Sequence, residues 1–561
     1  MRTTEQARID RLTAAGQWGT TTLHDLLREQ ALDRPDQLAV ADPPNRAAFT
    51  EGDQLRLDFA ELERAACALA ADLLGRGIRP GDVLIAQLPN VVELVVSYFA
   101  SSLVGAVLSP LPVQYGAHEL GTAARVLRPA AVLTIDQVKG VPLAERAAKA
   151  LPGVPVLRFA GAAESDGILT VTGQCGDAAR KAVDAHLAAH PADANAILTV
   201  VWTSGTTGTP KGVPRSHNMW LATGRTSSEA AAYRTGDRLL NPFPLVNMAA
   251  LGGFLFPMAL NGCSLVLHQP FEAGLFLTQI QDERINFTIV PPAMLNHLAR
   301  DTESWNRFDF SELRRIGSGS APLSPWMVEV FDRDYGKPIV NFYGSNEGIS
   351  LFSTPETSVE PDVRATMFPR LGCENMPWSG IAHDYVRNRV VALETGELIT
   401  EPGQPGELQF AGPTVFDGYL GGNDDGVFTE DGWFRTGDLV EICGEPPNYY
   451  RIVGRCKDII NRAGMKISPT EIDILLEGFP GLTDGAVCGY PDRDYGERVC
   501  ACVVPADPHH PPALEAINAF LLDQGLAKFK LPERIHYLEA LPRNPLGKVQ
   551  RHELELQVKT A

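Results

Sequence analysis

Between residues 203 and 212 the chain runs Thr203-Ser-Gly-Thr-Thr-Gly-Thr-Pro-Lys-Gly212. The backbone N–H groups of so glycine-rich a loop can turn inward together, its hydroxyls add donors, and Lys211 adds a cation. That set of groups suits a polyphosphate. An ordinary glycine-rich turn at a sheet edge has the same composition, so the loop by itself leaves both readings open. A Walker A loop is a different pattern: Pro210 stands where it wants glycine, and Gly212 follows the lysine where it wants serine or threonine.

Other chemistries are excluded by type and spacing. The nine cysteines lie far apart, without a Cys-x-x-Cys pair, and His-Glu-x-x-His is absent, so neither a disulfide framework nor a structural or zincin-type zinc site is expected. His509 and His510 sit in a Pro-rich stretch and read as a solvated loop. Lysine and arginine number 49 against 68 aspartates and glutamates, a net charge of −19, which argues against a general nucleic-acid or anionic-membrane binder. The opening eighteen residues carry charges but neither an apolar core nor a cleavage site. The most apolar stretch, 83–113, is interrupted by Asn90, Glu93 and prolines and cannot span a bilayer. A cytoplasmic protein with reduced thiols is expected.

The elements that must position the loop follow from the pattern. A chain of 561 residues exceeds one ordinary core, so several subdomains are expected. Apolar runs at 83–87, 131–135, 197–202, 287–290 and 338–342 read as buried strands, and amphipathic stretches at 58–75, 119–127 and 325–335 as helices. Their alternation predicts βαβ units and largely parallel sheets. From 407 to 453 the pattern changes to short strands with tight turns. The last hundred residues read as a separate α/β unit, whose first helix begins with Ser468 as N-cap, Pro469 in the first position and Glu471 completing a capping box. The fold class is therefore α/β: a large N-terminal domain, residues 1–456, of two parallel-sheet subdomains plus a small β-rich one, followed by a mobile α+β domain, residues 457–561.

The 203–212 loop resembles the phosphate-loop signature of the AMP-forming adenylating enzymes: acyl- and aryl-CoA ligases, aryl-AMP ligases, nonribosomal adenylation domains and beetle luciferases. Further segments resemble that superfamily's motifs and occur in its order: Tyr343-Gly-Ser-Asn-Glu347, Gly406-Glu-Leu408, Trp433-Phe-Arg-Thr-Gly-Asp438, Gly454-Arg-Cys-Lys-Asp458 and Pro545-Leu-Gly-Lys548. The likeness runs from about Trp18 to Leu556. Leu88-Pro-Asn90, Pro214-Arg-Ser-His217, Gly496-Glu-Arg498 and Lys528-Phe-Lys-Leu-Pro532 look most like cyclohexanecarboxylate-type acyl-CoA ligases and dihydroxybenzoate-type aryl-AMP ligases.

The resemblance implies two half-reactions. A carboxylate attacks the α-phosphorus of ATP to give an acyl-adenylate and pyrophosphate, and a thiol then displaces AMP. Negative charge gathers around the α-phosphate, so cations, Mg²⁺ and fixed donors are expected rather than a protein nucleophile. By the same resemblance Lys548 bridges carboxylate and α-phosphate, while Thr203, Ser204, Gly205, Thr206, Thr207, Gly208 and Lys211 contact the phosphates. Glu347 holds Mg²⁺, Tyr343 lies along the adenine, and Asp438 and Arg455 serve the ribose. Gly319, Ser320, Ala321, Gly344, Ser345 and Asn346 complete the nucleotide site. Lys457 is the hinge about which the small domain turns, bringing Gly464 toward the pantetheine arm of coenzyme A. His217 reads as a packed structural histidine.

Two positions depart from the pattern. Asn346 replaces the usual threonine before the glutamate, and its amide can still donate to a phosphate oxygen. Asn247 takes the place of an aromatic residue, often histidine, that in relatives borders the acyl pocket and the thiol tunnel. With Met248, Gly317 and Ile349 it is expected to line the acid site. No basic residue is evident there for a second carboxylate, so a monocarboxylic acid of modest size is expected. The partners implied are that acid, ATP and coenzyme A; in the alternative reading, an aryl- or acyl-AMP ligase, a separate phosphopantetheinyl carrier protein replaces coenzyme A. A luciferase-type oxygenase shares the adenylation step. A nucleotide-binding regulator with lost chemistry would not need Lys211, Glu347, Asp438 and Lys548 together.

Overall fold

Strands buried on both faces read as unbroken apolar runs, and Val83–Gln87 and Ala131–Ile135 form over the residues that the pattern predicts, each buried throughout. The computed structural model describes residues 2–159, 168–203, 210–319, 322–422, 424–462, 465–493, 495–543 and 549–560. The two strands sit at the centre of a seven-stranded sheet, parallel except where Lys211–Ser216 pairs antiparallel with Ile197–Thr203 at one edge. A second, eight-stranded sheet is parallel in its interior, where Arg315–Gly319 lies beside Ile339–Gly344, and antiparallel at both edges.

The helix Val92–Val104 is buried along its whole length, which explains why its sequence is apolar on every side. Its neighbours include strands of both sheets, Leu38–Ala41 and Val107–Pro110, so one core joins the two. The helix Phe59–Gly75 packs beside it. Its capping box forms in both directions: Glu61 N–H donates to Asp58 at 2.7 Å and Asp58 N–H to Glu61 at 3.0 Å.

The β-rich part is a six-stranded antiparallel sheet in which Phe434–Cys443 pairs with Gly406–Ala411 on one side and Tyr449–Arg455 on the other. The chain leaves this sheet at Arg455 and enters a five-stranded one at Ile460. The long hairpin Leu482–Asp492 and Gly496–Pro505 builds that last sheet, and helices Pro469–Leu476 and Leu514–Asp523 cover it around a separate core that includes Ile460, Ile472, Val499 and Leu521.

One predicted detail is corrected. Ser468 and Pro469 open their helix, but the Ser468 hydroxyl caps nothing: it donates to the Val453 carbonyl, back on the six-stranded sheet. Glu471 turns instead to Lys530, 2.6 Å away. A tertiary carbonyl and an ammonium outcompete the local box. All nine cysteines carry free thiols. Among the described residues no helix is long and apolar enough to cross a membrane.

Candidate active site

The 203–212 segment connects the antiparallel strands Ile197–Thr203 and Lys211–Ser216. Thr203 and Lys211 are cross-strand partners, so the loop starts and ends at one point on the sheet edge. Ser204, Gly205, Thr206, Thr207 and Gly208 lie outside the described residues. Lys211 reaches over the ring of Tyr419, its Nζ 4.6 Å from the centroid. The Tyr419 hydroxyl donates to Glu347 Oε1 at 2.8 Å. A cation and a carboxylate therefore meet on one phenol at the foot of the loop. Burial, reinforced by the Glu347 charge, pushes Tyr419 ionisation well up, so its hydroxyl stays a donor.

Glu347 is 9% exposed and belongs to the turn between Ile339–Gly344 and Ser350–Ser353. Its backbone carbonyl accepts from Phe416 N–H at 2.9 Å. The residue after it must be glycine: Gly348 has φ +106°, and a Cβ there would lie 1.9 Å from the Thr414 carbonyl oxygen. Asn346 is tied down by both ends of its amide, donating to the Trp202 carbonyl and accepting from Met248 N–H, each at 2.9 Å. That side chain thus joins the end of the strand Ile197–Thr203 to the segment at Met248. Ser345 Oγ is buried with no partner among the described residues, an orphan that a bound ligand could satisfy.

Behind this turn lies Arg215, fully buried and without a carboxylate partner among the described residues. It donates to the Asn346 and Thr414 carbonyls at 2.9 Å, to Met219 at 3.1 Å and to Thr223 Oγ1 at 2.8 Å. Burial pulls its guanidinium down to about 9, against the attraction of Glu347.

Asp438 and Arg455 are cross-strand partners, and the Asp438 Oδ1–Arg455 Nε separation is 2.8 Å. The other carboxylate oxygen of Asp438 accepts from the Tyr343 hydroxyl. Burial, then the Asp438 charge, holds Tyr343 ionisation well above its ordinary range. Burial works against the Arg455 cation, but Asp438, Tyr343 and Asp458 outweigh it and raise its pKa. Each carboxylate oxygen retains a lone pair for a further donor such as a ribose hydroxyl.

Among the residues expected to line the acid, Asn247 Oδ1 accepts from Ala250 N–H at 3.2 Å and caps a helical run that continues from Met248 to Asn261. Met248 is half-buried beside Gly252. Gly317 faces packed side chains rather than open space: a Cβ would lie 2.7 Å from Ile289 and 2.9 Å from Phe342. Gly319 brings its strand onto the Phe342 carbonyl, where a Cβ would be 2.1 Å away. Ile349 is 2% exposed and packs in the main core, while Gly344 is exposed at the strand end. Ser320, Ala321, Gly464 and Lys548 lie outside the described residues. Lys457 is exposed in the turn between the two sheets, with burial and then Arg455 weighing against its charge, and its pKa is lowered.

The site draws on three residues that the sequence reading did not assign to it: Tyr419, Arg215 and Asn90. Asn90 spans the two sheets, donating to Phe243 O at 2.8 Å and accepting from Leu245 N–H at 2.9 Å, and so pins the loop that leads to Asn247. Asn90 and Arg215 stand within the segments that carry the resemblance, a signal available in the sequence. Tyr419 has none. Among the described residues no group of three His, Cys, Asp or Glu could hold a metal by itself.

Residues 27–420 match the AMP-binding enzyme family, and residues 471–548 match the AMP-binding enzyme C-terminal domain. Triostin synthetase I of Streptomyces triostinicus is 33% identical over 96% of this chain and 95% of its own length. Feruloyl-CoA synthase of an Amycolatopsis species is 30% identical over 91% of this chain and 96% of its own. ATP-bound MatB from Rhodopseudomonas palustris superposes with a TM-score of 0.74 at 26% identity, over 96% of this chain and 99% of MatB.

Proposed function

The chain belongs to the AMP-binding enzyme family, an AMP-forming acid–thiol ligase, and we propose on that premise that it joins a modest-sized monocarboxylic acid to the thiol of coenzyme A. In the first step a carboxylate oxygen bonds to the α-phosphorus of ATP as the bond to pyrophosphate breaks. In the second the coenzyme A sulfur bonds to the acyl carbon and AMP leaves with the electron pair.

The observation that supports this reading is the meeting of Lys211 and Glu347 on Tyr419 at the foot of the 203–212 loop. Lys211 and the loop donors hold the β- and γ-phosphates as their charge rearranges. Glu347 Oε1 is already taken by Tyr419, and Oε2 has no partner among the described residues, which suits one bond to Mg²⁺. That ion characteristically combines one or two carboxylates with substrate phosphates, so the lack of a three-ligand cluster among the described residues fits it. When bound, it would neutralise charge on the phosphate oxygens.

Asp438 and Arg455 take the ribose, Tyr343 lies along the adenine, and Ser345 Oγ supplies an unspent donor. Lys548 bridges the carboxylate and the α-phosphate in the first step. Lys457 is the hinge on which the C-terminal unit, from residue 457, exchanges Lys548 for the face carrying Gly464. Asn247 and Met248 border the acid.

The test is acid-dependent exchange of labelled pyrophosphate into ATP across aliphatic, alicyclic and aromatic acids without coenzyme A, with Lys548→Ala in parallel. Exchange with some acids, abolished by the substitution, is expected, and coenzyme A should then release AMP. Exchange followed by AMP release only with a phosphopantetheinylated carrier protein would replace coenzyme A as the acceptor. No exchange with any acid would sink the proposal.

A further inference from the structure

The loop 412–417 has no regular secondary structure of its own, yet it is gripped on two sides. Inward, Thr414 O accepts from Arg215, Phe416 N–H donates to Glu347 O, and three residues on Tyr419 donates to Glu347 Oε1. Leu420 N–H donates to Gly212 O at 2.8 Å, which lays the same segment against the strand that carries Lys211. Outward, Gly412 O accepts from Val415 N–H at 3.3 Å, but the Pro413, Val415 and Phe416 carbonyls find no donor within the loop, and buried orphans are costly.

Those donors come from the first eighteen residues. Arg8, on the helix Gln6–Ala14, donates to Gly412 O at 2.9 Å, Val415 O at 2.6 Å and Phe416 O at 3.4 Å, and pairs with the Asp417 carboxylate. Thr4 Oγ1 donates to the other Asp417 oxygen. Trp18, 3% exposed, donates from Nε1 to Pro413 O at 3.1 Å, and Arg8 lies 5.4 Å over its ring. Burial weighs against the Arg8 cation, and Asp417 is the charge that offsets it. One guanidinium thus satisfies three carbonyls and one carboxylate of a single loop, a fork that no lysine can reproduce.

We infer that Arg8 is a positioning residue for adenylation: by holding the loop 412–417 it fixes Tyr419, and through Tyr419 the Glu347 carboxylate. The inference rests on the reading of Glu347 as the Mg²⁺-holding residue. Without Arg8 the loop loses its outer wall and is held from the inward side alone, so Tyr419 shifts with the loop, its bond to Glu347 Oε1 loosens and the carboxylate is freed to rotate.

The experiment compares the full chain with Arg8→Ala and Arg8→Lys. Arg2→Ala is a control on the same arm, since Arg2 pairs with Asp193, away from the loop. Two quantities are read: hydrogen exchange at the Phe416 and Leu420 amides without substrates, and the Mg²⁺ concentration giving half-maximal pyrophosphate exchange. Arg8→Ala should speed both amides and raise that concentration about tenfold, a loss of the size expected for hydrogen bonds to a charged group. Arg8→Lys should fall between, because an ammonium serves only some of the acceptors, and Arg2→Ala should change neither.

Unchanged amide exchange in Arg8→Ala would overturn the inference. Faster amides with an unmoved Mg²⁺ dependence would reduce Arg8 to a stabilising contact and overturn its positioning role. Glu347→Gln is measured alongside: if it too leaves the Mg²⁺ dependence unmoved, the metal reading of Glu347 has failed, and the amides still decide whether Arg8 holds the loop. Should Arg8→Ala not fold, Arg8→Lys and Thr4→Val carry the same two readings.

Discussion

Asp438 and Arg455 face each other across paired strands, and the side chains meet at 2.8 Å with the Tyr343 hydroxyl on the free side of the carboxylate. Arg455 is 41% exposed, so water screens the pair and its own contribution to stability is small, at most about 1 kcal/mol. A ribose that loses a charged donor loses more, roughly 1.5–3 kcal/mol. Arg455→Ala should therefore raise the KM for ATP about tenfold or more while its denaturant midpoint barely moves. A large stability loss with an unchanged KM would make the pair structural.

Tyr419 serves two charges through different atoms, and substitution can separate them. Tyr419→Phe keeps the ring under Lys211 and removes the hydroxyl from Glu347. Pyrophosphate exchange should fall about tenfold and recover partly at high Mg²⁺, because the misplaced group is the carboxylate. Tyr419→Leu should fall further and also raise the KM for ATP, since the lysine loses its platform. Equal effects of the two variants would mean that the hydroxyl carries everything.

Asn247 is a helix cap as well as a candidate pocket wall, and the two roles predict different substitutions. Asn247→Asp keeps an acceptor for Ala250 N–H, whereas Asn247→Ala removes it and should cost about 1 kcal/mol of stability. If Asn247 borders the acid, Asn247→Asp should raise the KM for the acid by charge repulsion at unchanged stability. An unchanged acid preference in both variants would confine the residue to capping.

Two buried histidines set an acid limit on stability. His217 accepts from Leu23 N–H at 3.1 Å, and His24 lies 2.8 Å from Ser102 Oγ. Burial depresses them to about 3 and about 4. The unfolded chain, with histidines near 6.5, binds more protons below that pH, so their contribution is whole above 6.5 and is lost as pH falls toward 4 and then 3. The loss is on the order of 5 kcal/mol for His217 and 3 kcal/mol for His24. His217→Gln keeps an acceptor without a titrating ring, so urea midpoints should fall less steeply between pH 6.5 and 4 than in the wild type. Parallel curves would exclude His217.

What the sequence made legible divides by distance along the chain. Strands such as Val83–Gln87 are readable because burial on both faces leaves an unbroken apolar run, and Asp58 with Glu61 is readable because a capping box is local. Ser468 with Glu471 shows the same local signal and fails, since the Val453 carbonyl and Lys530 compete for its members. The Thr203–Gly212 loop and the motifs around Glu347 and Asp438 stand out because their chemistry is compact. Tyr419 and Arg215 act on their partners across 72 and 131 residues, through hydrogen bonds that no spacing announces. Gly317 shows a second limit: a glycine leaves room in a sequence, but here Ile289 and Phe342 fill it.

Only residues 456–459 separate the strand that ends at Arg455 from the one that begins at Ile460. The five Cα-to-Cα steps from Arg455 to Ile460 reach about 18 Å at full stretch. The strand that starts at Ile460 therefore begins within that radius of Arg455. On the proposed reading of Lys457 as a hinge, the approach of that unit is first-order and indifferent to dilution. Turnover per molecule should be the same at nanomolar and micromolar enzyme, and a severed C-terminal unit supplied in solution would have to match the millimolar local concentration that so short a leash imposes.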